Sequence, residues 1–130
     1  VVLTYVDSSV ALAHIFAEPR QARPEIWQQR LASSRLLEYE IWTRIHSRRP
    51  GVVDNESVRT LLAGTELIEL SRPVLARALE PWPVPLRTLD ALHLATADYL
   101  RQQGEPVELA SYDQRLIAAA EALGIPIMAL

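Results

Sequence analysis

Val1-Val2-Leu3-Thr4-Tyr5-Val6-Asp7-Ser8-Ser9 opens the chain. Its first six residues are rich in apolar and β-branched side chains, without polar alternation. They read as a strand buried on both faces, the kind found inside a parallel sheet. Asp7, Ser8 and Ser9 then offer helix N-caps, and Val10 to Phe16 carries apolar residues at helical spacing.

Moving outward, Pro19 and Pro24 bracket a loop, and a short helix is expected from Glu25 to about Arg30. Leu31 to Ser34 is a short strand candidate. Arg35 to Arg48 reads as a helix with Leu36, Leu37, Ile41 and Ile45 as its apolar stripe, closed by Pro50-Gly51. Asp54 or Asn55 caps a helix reaching Gly64, Leu67 to Leu70 is a strand, and Ser71 caps a helix to about Leu79. Pro81, Pro83 and Pro85 stiffen the connector around Trp82. Thr88 caps a helix to about Gln103, Val107 to Tyr112 is a strand, and Asp113 to Leu123 is a helix closed by Gly124. Ile125 to Leu130 completes the series as a last strand. Alternating strands and helices predict an α/β sandwich around a mostly parallel sheet of about five strands.

The 130 residues are enough for one domain with one core. Hydrophobic residues make up 49% and charged ones 22%, which excludes a disordered chain. With 13 basic against 16 acidic residues, net −3, binding of nucleic acid by bulk charge is excluded. Every basic residue is Arg, so no P-loop lysine, Schiff base or receiver-domain lysine exists. The absence of Cys removes disulfides, thiolate metal sites and a Cys nucleophile, and fits a reducing, cytoplasmic setting. No apolar run approaches about 18 residues, so no membrane span is expected, and a start directly on a strand-like segment predicts no signal peptide.

In a parallel sheet every strand's C-terminal end lies on one edge, and ligands bind in the crevice outside it. Asp7 follows the first strand and Asp113 follows Val107 to Tyr112, so topology brings the two to one edge. Alone, each is also a good N-cap. Asp90 lies in the first turn of the helix carrying Ala91-Leu92-His93-Leu94-Ala95, where a helix dipole favours an acid. A buried carboxylate needs a partner; Arg87 is the nearest cation in sequence, and a divalent ion is an alternative. Glu40 interrupts an apolar stripe and so points toward the protein, with an i,i+4 pair to Arg44 as its simpler explanation. Glu38 points off the stripe into solvent. Hard oxygen ligands suit Mg²⁺ or Mn²⁺, whose natural chemistry here is phosphodiester hydrolysis.

Four segments in order, Tyr5-Val6-Asp7-Ser8-Ser9, Ser34-Arg35-Leu36-Leu37-Glu38-Tyr39-Glu40, Leu89-Asp90-Ala91-Leu92-His93-Leu94-Ala95-Thr96-Ala97 and Ser111-Tyr112-Asp113-Gln114-Arg115-Leu116, resemble the PIN-domain ribonucleases, most closely the toxins of VapBC-type toxin–antitoxin pairs. The resemblance covers nearly the whole chain. It implies a three-layer α/β/α fold and Mg²⁺- or Mn²⁺-dependent endonucleolytic cleavage of RNA. It places Asp7, Glu40, Asp90 and Asp113 at the family's four acidic positions, with Ser8 (or Ser9) and Ser111 as hydroxyls that hold the acids or waters. It also implies a VapB-type antitoxin over the groove, a homodimer, and contact with operator DNA only through that antitoxin.

The remaining residues carry less. His93 reads as a satisfied core histidine, Asp98 as a solvated partner of Arg101, and His14 and His46 have no pattern. Trp27, Tyr39 and Trp42 pack, line an interface or stack a base. Arg44, Arg48 and Arg49 suit a helix C-terminus or RNA phosphates. An aspartyl-nucleophile phosphatase would need an Asp where Ser9 stands, and a Lys. A non-catalytic interaction module of the same fold is the rival of a different class; it is separated from an enzyme by comparing RNA cleavage in EDTA and in Mg²⁺.

Overall fold

A computed structural model of the protein describes residues 1–48, 51 and 53–130. Arg49 and Pro50, which figured in the sequence reading, lie outside the described residues. The strands are β1 (Leu3–Val6), β2 (Arg30–Ser34), β3 (Thr65–Ile68) and β4 (Val107–Ala110). The helices are α1 (Ser8–Ile15), α2 (Leu36–His46), α3 (Asn55–Ala63), α4 (Arg72–Ala78), α5 (Thr88–Gln102) and α6 (Gln114–Ala122). Pro24–Gln28 forms a single 3₁₀ turn where a short α-helix was expected.

The sheet order is β3-β2-β1-β4, and every pairing is parallel. Chain order therefore runs outward from β1 through β2 to β3, then jumps to the other side of β1. The gap between the ends of β1 and β4 is where this reversal occurs, the crevice in which open α/β sheets bind ligands. The backbone N–H of Asp7 donates to Ala110 O at 3.0 Å and holds the two strand ends side by side there.

Tyr5 and Leu109 face a layer of α5 and α6, packing with Leu94, Leu116 and Ile125. Val6 and Leu31 face a layer of α1, α2 and α3, packing with Val10, Leu37, Ile41 and Val58. The alternation of neighbouring Tyr5 and Val6 between layers is the period of two expected of a strand, and all four β1 residues are buried. The result is the α/β/α sandwich expected from the sequence.

Two strand expectations need correction. The last segment does not form a full strand: it contributes one parallel bridge, Leu109 to Ile127, bonded from Leu109 N to Pro126 O and from Met128 N to Leu109 O, both at 2.8 Å. Pro126 has no N–H to extend the ladder. β4 ends at Ala110 rather than Tyr112, because Ser111 and Tyr112 turn to bond the start of α1 instead. α5 includes Thr88, with Arg87 in the cap position. Among the described residues no helix is long and apolar enough to cross a membrane.

Asp98 also departs from expectation. It is buried rather than solvated, and it accepts from Arg77 Nε at 2.8 Å, Arg101 Nη2 at 2.9 Å and Gln102 Nε2 at 2.9 Å. Arg77 stacks over the Trp82 ring at 3.9 Å. The proline-stiffened connector is thereby tied through α4 to α5, the helix that carries Asp90. Asp98→Ala takes the close carboxylate away from the mostly buried Arg77 and should cost about 3 kcal/mol, lowering the melting temperature by roughly 10 °C. Urea and thermal unfolding of the variant check this; a loss below about 1 kcal/mol would reduce the cluster to a surface pair.

Candidate active site

Asp7 is the N-cap of α1, just past β1. Its Oδ2 accepts from Ser9 Oγ at 2.7 Å and Ser111 Oγ at 2.8 Å, with a longer contact from Ser9 N at 3.4 Å. The two hydroxyls are fixed in turn: Ser9 Oγ accepts from Tyr112 N at 3.0 Å, and Ser111 Oγ from Asp113 N at 2.9 Å. Each serine thus links the end of β1 to the segment after β4. Ser8 lines the cleft but makes no side-chain hydrogen bond among the described residues. Asp113 caps α6, its Oδ1 accepting from Arg115 N at 3.0 Å and Leu116 N at 3.2 Å.

Asp7, Asp90 and Asp113 line one cleft of about 320 Å³ at the β1/β4 reversal. Partial burial raises the Asp90 carboxyl above its ordinary range, and the charges of Asp113 and Asp7 add to that against smaller opposing effects from His93 and Arg87. Asp7 Oδ1 and Asp113 Oδ2 accept no hydrogen bond among the described residues. Three acids from three elements therefore face common space with oxygen lone pairs free. They are not clustered tightly, however: among the described residues no three His, Cys, Asp or Glu side chains stand close enough to hold one metal ion together.

Glu40 is placed differently. It is absent from the cleft wall, and its partner is His93 rather than Arg44: Oε1 lies 2.6 Å from His93 Nε2. A carboxylate only accepts, so Nε2 carries the hydrogen. On the other side of the ring, Nδ1 lies 2.7 Å from the Tyr5 hydroxyl. Burial pushes the Tyr5 phenol far up, so it keeps its proton and can donate to Nδ1 whenever that nitrogen carries no hydrogen. Burial pulls the His93 imidazole down, but the hydrogen bond and charge of Glu40, with Asp7 and Asp90 behind it, outweigh this and leave it above its ordinary value. His93 is thus a core histidine with both nitrogens satisfied.

Arg20 and Arg44 complete the cleft wall. Arg44 was a candidate from sequence; Arg20 was not, since it sits in the loop between Pro19 and Pro24 with no motif around it. Its guanidinium lies over the Tyr112 ring at 4.0 Å, next to Asp113. Arg48 instead stacks over Phe16 at 4.5 Å. Trp27 packs on His14, ring centroids 4.4 Å apart, and burial lowers the His14 imidazole. Trp42 stacks on His46 at 6.2 Å, while Tyr39 remains 67% exposed. Glu38 stands 3.8 Å from Arg35 and is half exposed, as expected of a solvated acid.

The PIN-domain sequence profile matches residues 4–127, which takes in every element described above but the first residue of β1. The chain belongs to the PIN-domain family. Within it, the protein is closely related to VapC-family ribonuclease toxins of Mycobacterium tuberculosis. It is 35% identical to Ribonuclease VapC35 of strain CDC 1551 / Oshkosh over 133 residues, covering 98% of this chain and 96% of that one. It is 31% identical to Ribonuclease VapC46 of strain ATCC 25618 / H37Rv over 134 residues, covering 96% and 95%. Ribonuclease VapC47 of strain CDC 1551 / Oshkosh is 29% identical over 129 residues, covering 94% and 93%. This PIN-domain protein thus matches its relatives nearly end to end, and a ribonuclease toxin role is consistent with that membership.

The raised Asp90 carboxyl has a measurable sign. Its neutral form is favoured by the fold, so its contribution to stability is full below the ordinary unfolded value and is lost as pH rises through the raised folded one. Asp90→Asn should therefore raise the melting temperature of metal-free protein at neutral pH, by about 1–3 °C after solvent screening. The gain should vanish on acidification below that window. Paired melting curves across pH test this; a variant less stable than wild type at pH 7 contradicts it.

Proposed function

We propose that this PIN-domain protein is a Mg²⁺- or Mn²⁺-dependent endoribonuclease, the toxin of a VapBC-type pair, with its 130 residues forming one domain. The observation that carries the reading is the cleft itself: Asp7, Asp90 and Asp113 converge at the sheet reversal in a chain related end to end to VapC ribonucleases. Asp7, Asp90, Asp113 and Glu40 are taken as the working carboxylates, with Ser9 and Ser111 holding Asp7 and Ser8 only lining the cleft.

The donor set fits such an ion. All its atoms are hard oxygens, and Asp7 and Asp113 each keep one oxygen out of the hydrogen-bond network. The spacing of the acids is compatible with Mg²⁺, which keeps several waters and needs only one or two carboxylates directly. When bound, the ion would polarise a phosphoryl oxygen and lower the pKa of attached water. The chain's own groups do the rest. Asp7 and Asp113 are rigid, each held through one oxygen. Asp90, with its raised carboxyl, holds a proton more readily than an ordinary aspartate. Arg20 and Arg44 supply the local positive charge that a chain of net charge −3 needs to bind RNA phosphates.

The partners follow from the same reading. A VapB-type antitoxin covers the cleft and brings a cation, most simply an Arg, to the carboxylates. Operator DNA is reached only through that antitoxin. A homodimer and a cytoplasmic location complete the proposal. Leu79, 88% exposed, with Leu75 and Leu89, offers apolar surface for association; Trp27 and Trp42, first suspected of that role, are partly buried.

The rival reading, a partner-binding module without turnover, draws support from the loose spacing of the acids. The deciding experiment maps cleavage sites in total RNA after a short pulse of expression, then repeats cleavage with purified protein in Mg²⁺ and in EDTA. Discrete sites that need Mg²⁺ are expected. Asp7→Asn should lower cleavage by about 100-fold or more while leaving the melting cooperative. Cleavage that persists in EDTA, or an Asp7→Asn variant as active as wild type, removes the carboxylate mechanism.

A further inference from the structure

His93 joins the three elements that lead to three of the four acids. It lies on α5, one turn after Asp90. Its Nδ1 receives Tyr5, which sits on β1 two residues before Asp7, and its Nε2 reaches Glu40 on α2, 53 residues earlier in the chain. The side chain is 1% exposed, against 14% for that of Glu40. With the ring fixed from behind by the Tyr5 hydroxyl, the Nε2–H direction is set, and that hydrogen bond orients the carboxylate of Glu40. Oε1 is occupied and Oε2 accepts no hydrogen bond among the described residues.

We propose that His93 is the positioning residue for Glu40: held by Tyr5, it fixes Oε1 and leaves Oε2 as the oxygen free to serve the carboxylate site. The inference rests on the reading of Glu40 as a working carboxylate. A histidine that merely filled the core would need Glu40 only as a buried partner, and any well-packed side chain could replace it.

Three variants separate these roles. His93→Met keeps bulk and removes the donor. His93→Gln returns an N–H near the imidazole Nε2. Tyr5→Phe keeps the core volume and frees the ring, so the test survives if His93→Met fails to fold. The substrate is a short RNA spanning the strongest site mapped in total RNA, and rates are compared per folded molecule well below each melting point. Holding a partner of a metal-site group is typically worth about 10–100-fold. His93→Met should therefore lose roughly tenfold in kcat with KM little changed, Tyr5→Phe less, and His93→Gln should recover much of the loss. In a Glu40→Gln background His93→Met should cost nothing further.

Metal-free protein supplies a readout independent of turnover. Imidazole ¹⁵N spectra should show a protonated Nε2 hydrogen-bonded to a carboxylate, and Tyr5→Phe should disturb that signal. Mn²⁺ alone, titrated by electron paramagnetic resonance, should bind His93→Met more weakly than His93→Gln. Equal kcat in His93→Met and His93→Gln, or an undiminished loss in the Glu40→Gln background, overturns the positioning role while Mg²⁺-dependent cleavage stands. A wild type that cuts no RNA, or an active Asp7→Asn, overturns the underlying reading instead, and this inference with it.

Discussion

Like charge at the carboxyl edge of a parallel sheet is costly, and most of the polar contacts around the cleft answer that cost. Asp7, Asp90 and Asp113 share one wall, and their mutual repulsion, added to burial, raises the Asp90 carboxyl. Asp7 and Asp113 sit at the N-termini of α1 and α6, where backbone N–H groups and the helix dipole favour a negative group. Ser9 and Ser111 add two hydroxyl donors to Asp7. Arg20 and Arg44 bring the remaining positive charge to the same wall. The edge tolerates its acids because each is restrained through one oxygen or lies near a cation.

The same contacts fix geometry. The serines that donate to Asp7 also turn the chain after Ala110, ending β4 and bringing Asp113 to the crevice. His93 reaches Glu40 from the opposite helical layer and ties β1, α2 and α5 at one point. Asp98, two turns beyond Asp90 on α5, anchors Arg77 of α4. Electrostatic compensation and positioning are therefore carried by the same side chains.

Much of this was legible in the sequence because parallel topology turns local signals into spatial ones. A buried apolar run before Asp7 and another before Asp113 predict a shared edge without any distance being known, and both acids proved to be N-caps on one cleft. What escaped were contacts between residues far apart in the chain. The Tyr5–His93–Glu40 chain spans 88 and 53 residues and follows no periodicity. Arg20 lies in a loop whose path no propensity sets. Asp98 looked like a surface i,i+3 partner of Arg101 until Arg77, 21 residues away, was found on its other oxygen. The fifth strand is reduced to one bridge for a local reason that the sequence does carry, the missing N–H of Pro126.

The chemistry of the cleft between β1 and β4 depends on whether its carboxylates take a divalent ion. Anomalous diffraction at the manganese edge, from crystals soaked in Mn²⁺, measures this directly. A peak in the cleft with oxygen of Asp7, Asp90 or Asp113 at about 2.1–2.2 Å, the remaining acids reaching it directly or through water, is the predicted result. A protein that cleaves RNA in Mn²⁺ but places its only manganese peak away from these residues would contradict it.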